Sequence, residues 1–94
     1  MATPRNPTNE AILAFLKLSW NQEVEKEITA AYGPGVAGEV KELYQYAVHR
    51  PVDWARETHD QATARVAREI QEVYPYLTTA AAQKLAKCFW FVWR

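Results

Sequence analysis

Apolar residues recur along the chain at three- and four-residue intervals, and the period-two alternation of a half-buried strand is absent over any useful length. From Asn6 to Trp20 this pattern is strongest. At about 100° per residue, Glu10 and Lys17 fall in one narrow arc, while Ile12, Leu13, Phe15, Leu16, Leu18 and Trp20 cover most of the remaining circumference. Asn6-Pro7 reads as an N-cap followed by proline at the first helical position, with Thr8 as the other candidate cap. The first helix is predicted to run to about Leu18. A helix apolar over so much of its girth belongs at the centre of a bundle. Ser19 and Gln22 have the spacing of a capping box, which splits the pattern there, one long bent helix being the alternative. A second helix, about Asn21 to Tyr32, carries a slim stripe of Val24, Ile28, Ala31 and Tyr32 and is peripheral.

Gly33-Pro34-Gly35 ends that helix. A third is predicted from about Val36 to Arg50, burying Val36, Val40, Leu43, Tyr44 and Ala47, with Pro51 at its end. Asp53 suits an N-cap for a fourth, about Trp54 to Tyr74, whose core face is Ala55, Ala62, Val66, Ile70 and Val73. Pro75 stops it. Thr78 or Thr79 caps a fifth helix that runs to the end of the chain. Residues Met1 to Arg5 carry no pattern and read as a loose arm. The expected fold is therefore all-α: one domain over residues 1–94, a compact bundle of about five short helices with helix one central.

Composition narrows the partners. Apolar residues make up 49% of the chain and charged ones 23%, a balance that argues against disorder. Eleven basic residues meet eleven acidic ones, so the net charge is zero. Nucleic acid and anionic membrane thus lose their usual electrostatic argument as main partners. The longest apolar runs, Ala11 to Leu16 and Cys88 to Trp93, are far short of a membrane span. Glu10 and Lys17 bracket the first, and no small-residue cleavage site follows, so a cytoplasmic address is expected. The single cysteine, Cys88, permits no intrachain disulfide and no multi-cysteine zinc site.

Candidate chemistry is thin. His59 falls on the buried face of helix four, where a partly buried, hydrogen-bonded imidazole is the expected role. His49 lies on the polar side of helix three. Asp53, Glu57 and Asp60 share one flank of helix four, but no His pair at i, i+4 and no Glu-x-x-His accompanies them. Cys88 lies on the apolar side of helix five, where burial deactivates a thiol. Gly33-x-Gly35-x-x-Gly38 has dinucleotide-binding spacing without the preceding strand that motif needs; the glycines read as a turn and a close helix approach. No catalytic residue, metal site or cofactor is expected, and the protein is not expected to be an enzyme.

The last helix is the most informative. Ala81, Leu85, Cys88, Phe89 and Val92 form one apolar arc, with Ala82 and Trp93 at its edge. Lys84, Lys87 and Arg94 fall on the other side; Phe91 lies among them and Trp90 beside them. Large aromatics among cations are not needed to bury this helix, and such residues are enriched at interface centres. Tyr76, in the segment entering the helix, adds to the aromatic density. These residues predict a small non-catalytic protein-interaction module, such as an adaptor, an accessory subunit or an inhibitor or immunity-type protein. Its partner surface is Trp90, Phe91, Lys84, Lys87, Arg94 and Tyr76, and its partner is another protein or a second copy. The alternative is a small helix-turn-helix-like DNA-binding regulator, with Lys41, Gln45 and Arg50 on the recognition helix and Arg65 and Arg68 nearby.

Overall fold

The computed structural model describes residues 6–93. Five helices follow in order: α1 (Pro7–Phe15), α2 (Gln22–Tyr32), α3 (Pro34–Val48), α4 (His59–Val73) and α5 (Thr79–Trp93). No strand occurs among the described residues, so the all-α bundle expected from the periodicity is the fold. The loose arm expected at Met1 to Arg5 lies outside the described residues. α5 packs against α1, α3 and α4, and α3 packs against α1, α2 and α5. α1 also touches three helices, α2, α3 and α5, so it shares the centre of the bundle with α3 and α5.

Capping explains most boundaries. Asn6 accepts from the backbone N–H groups of Thr8 (2.9 Å) and Asn9 (3.3 Å), with Pro7 in the first turn. α1 stops at Phe15, earlier than Leu18, because Leu16 turns to extended backbone (φ −69°, ψ 125°). That turn buries Leu16 completely and leaves Leu18 exposed. The cap of α2 is Asn21, whose side chain accepts from Val24 N–H (2.9 Å), and not the expected Ser19 with Gln22. Gly33 alone joins α2 to α3 at φ +95°, where a side chain would be strained. The close helix approach expected at the other glycines is not found: a Cβ at Gly35 or Gly38 would meet open space.

The largest departure is at helix four. It begins at His59, not near Trp54, and its N-cap is Thr58 in a reciprocal capping box with Gln61. Asp53 instead closes a turn, its side chain accepting from Ala55 N–H (3.1 Å). Ala55 is consequently exposed rather than core. Val73 at the far end of α4 is exposed too. α3 ends at Val48, short of Arg50, and α5 is capped by Thr78, which accepts from Ala81 N–H (3.1 Å).

The core runs through Ile12, Leu16, Ile28, Val40, Leu43, Val66, Ile70, Leu85 and Phe89. Ala81, Ala82, Leu85, Ala86, Cys88 and Phe89 of α5 are all buried. Val92 belongs to the same arc but is exposed, because it lies in the last turn of α5. A buried polar stitch completes the packing. The Asn9 side chain donates to Tyr76 C=O (3.0 Å) and accepts from Thr78 N–H (3.0 Å), tying α1 to the α4–α5 connection.

Candidate interaction surface

Adjacent residues on α5 point about 100° apart. Trp90 and Phe91 therefore face different neighbours. Trp90 stacks on His59, ring centroids 5.3 Å apart and planes 14° apart. Trp54, carried there by the α3–α4 connection, meets His59 edge-on at 5.8 Å and tilts against Trp93 at 6.3 Å. Trp93 in turn donates its indole N–H to Val48 C=O (2.8 Å) and leans on Phe89. Three of the four tryptophans thus share one end of the bundle, and Trp54, Trp90 and Trp93 are 46%, 39% and 45% exposed. His59 is half-buried, with its Nε2 enclosed beneath these rings and bonded to nothing.

The other expected site residues separate. Lys84 and Lys87 lie together, with Phe91 a turn further along the same flank. Lys84 Nζ donates to Leu13 C=O (3.0 Å) at the end of α1, and Lys87 is exposed. Tyr76 sits beyond the N-terminal end of α5, with about 16 Å of helix between that end and Trp90. Its hydroxyl donates to Glu39, and burial together with that carboxylate raises its pKa. Arg94 lies outside the described residues. Sequence periodicity missed Trp54, because it read residues 54–58 as helix. It placed Trp93 at the edge of the core arc. The usable signal was the count of four tryptophans in so short a chain, with Trp54 just after Pro51.

The residues considered for catalysis do not converge. Cys88 donates its thiol to Lys17 C=O (3.2 Å), and burial pushes its pKa up to about 12. His49 is exposed at the end of α3, its Nδ1 2.7 Å from Gln45 C=O. Among the described residues no group of three His, Cys, Asp or Glu is placed to hold a metal ion. Glu57 is bound by Arg65, whose Nε and Nη2 donate to its two carboxylate oxygens at 2.6 and 3.0 Å. That guanidinium holds the Glu57 pKa below the usual carboxylate range. Arg65 also donates to Glu69 and to Pro51 C=O (2.8 Å), and Arg50 donates to Glu69 (3.1 Å) while lying over the Tyr46 ring. Two of the cations considered for DNA contact are therefore held by carboxylates of the same chain.

No described helix is long and apolar enough to cross a membrane. The described residues form an all-α bundle of five helices with a half-exposed tryptophan cluster at one end of α5. Compared with protein-family models, curated proteins and solved structures, the chain finds no match.

Proposed function

We propose that the protein is a small, non-catalytic interaction module of the cytoplasm that engages another protein through the outer surface of α5, with Trp90 as its anchor. The observation that carries this reading is the clustering of Trp54, Trp90 and Trp93 at one end of α5, each between a third and a half exposed. Contiguous exposed aromatic surface is uncommon on a monomer and common at the centre of an interface. Arg50 and Arg65, spent on Glu57 and Glu69, give the DNA-binding reading less support.

The test is the double variant Trp54→Ser/Trp90→Ser. The variant loses three ring contacts, Trp54–His59, Trp54–Trp93 and Trp90–His59, worth roughly 0.5–1.5 kcal/mol each, a loss that a domain stable by about 5–15 kcal/mol is expected to survive folded. Capture of the partner from the protein's own cells, measured by quantitative mass spectrometry, is expected to fall sharply, since truncating an aromatic anchor costs roughly 2 kcal/mol or more. An unfolded variant would mean that the rings serve the core. A folded variant that captures the same proteins would remove the surface from the function.

A further inference from the structure

On the other flank of α5's outer face, the chain leaving α1 passes across the helix and leaves a groove of about 460 Å³. Its apolar surface comes from Leu13 and Leu18, 45% and 44% exposed, with Leu16 behind them. Lys17, Lys84 and Lys87 rim it, and among the described residues no carboxylate lines it. Lys84 is held at the edge by its bond to Leu13 C=O. Lys17 and Lys87 have no ion-pair partner among the described residues. In a chain of zero net charge this is a segregation of charge: exposed Glu23, Glu25 and Glu27 lie on α2, while Glu57 and Glu69 neutralise Arg65.

Two kinds of occupant fit poorly. A small anion would answer the lysines and leave the leucines uncovered. A second copy docked symmetrically through this groove would set lysine against lysine. Along α5 the groove runs from Ala80 to Lys87, about two turns of helix. A helix with an apolar stripe flanked by acidic residues matches both the floor and the rim. We propose that this groove between the end of α1 and α5 is a docking site for an acidic amphipathic helix of a partner protein. The proposal goes beyond the tryptophan surface and shares no residue with it, so each can fail alone.

The probe is a fluorescein-labelled synthetic helix with leucines at i, i+3 and i+7 and glutamates on both sides. Its twin has lysine for every glutamate. Fluorescence anisotropy with the full chain is expected to show the glutamate peptide binding at least about tenfold tighter than its twin. Most of that difference should vanish between about 0.05 and about 0.5 M salt. Lys17→Glu/Lys87→Glu, both on exposed positions and checked for fold by circular dichroism, is expected to reverse the preference. Trp90→Ser is expected to leave it unchanged. Equal binding of the twins, or binding of neither, overturns the proposal. So does tighter binding to phosphatidylserine vesicles than to the peptide, which would make the groove a lipid-contact site. A dimer seen by light scattering and dissolved by Leu18→Asp would assign the groove to a second copy instead.

Discussion

At the scale of single residues, Cys88 and Asn9 show how burial sets chemistry. The Cys88 thiol is fully enclosed and its pKa is raised to about 12, so the folded protein keeps the proton that an exposed thiol loses near 9. A group whose folded pKa is raised contributes stability below its ordinary pKa and loses it as pH climbs towards the folded value. Alkylation by iodoacetamide at pH 8 is expected to be at least about a hundredfold slower for the native protein than in denaturant, because only an opened molecule exposes the sulfur. Rapid alkylation of the native protein would return Cys88 to the list of possible nucleophiles. Asn9 is buried for a different reason. Its amide satisfies two backbone groups of the α4–α5 connection, where an unpaired polar group would cost about 1–3 kcal/mol. A polar residue two positions inside a helix start reads as solvent-facing in sequence, so periodicity gave no hint of this bond.

At the scale of elements, the entry to α4 is the instructive case. Residues 54–58 have acceptable helix propensity, and a helix from Trp54 was the natural expectation. Arg65 changes the outcome by reaching back eight residues to Glu57 and further to Pro51 C=O, which holds the connection folded against α4. Thr58 and Gln61 then start the helix. Arg65→Met should loosen this connection and lower the thermal midpoint by on the order of 5 °C at neutral pH. The sign of the pH dependence follows from Glu57, whose pKa is lowered in the folded state. Its contribution is present above the ordinary carboxylate pKa and lost as pH falls through the folded value. The gap between wild type and Arg65→Met is therefore expected to narrow as pH falls below the ordinary carboxylate value of 4.5 towards the lowered folded value. A gap that does not change with pH in acid would show that packing, not the ion pair, sets the loss.

At the scale of the whole molecule, the shape accounts for the exposed rings. The extents are 42 × 35 × 16 Å, a slab about two helices deep. The radius of gyration, 13.4 Å, exceeds the roughly 12 Å expected for a compact chain of this length. A slab has too little interior for twelve aromatic side chains, so several stand at its edges. Charge is divided as well: exposed Glu23, Glu25 and Glu27 lie on α2, whereas Lys17, Lys84 and Lys87 line the α1–α5 groove. With zero net charge, and with Arg50 and Arg65 held by Glu57 and Glu69, the protein is expected to give no retarded band with duplex DNA at micromolar concentration and low salt, since non-specific binders fall at about 10⁻⁴–10⁻⁶ M and tighten as salt drops. A retarded species that vanishes as salt rises would favour the DNA-binding alternative.

The three-to-four-residue recurrence of Ile12, Leu16, Val24, Ile28, Val40, Leu43, Ala62, Val66, Ile70, Leu85 and Phe89 was enough to read an all-α bundle and most of its core, because every one of them is buried. Local signals also marked Asn6, Gly33 and Thr78, since caps and joints act within three residues of themselves. Periodicity failed where partners come from far along the chain. Arg65 decided the start of α4, and Leu16 turned inward at the end of α1. The candidate surface divided for the same reason. The wheel of α5 placed Trp90, Phe91, Lys84 and Lys87 on one face, but what flanks that face is supplied by other elements. Trp54 and His59 arrive on one side and Leu13 and Lys17 on the other, brought there by helix packing that no local pattern encodes.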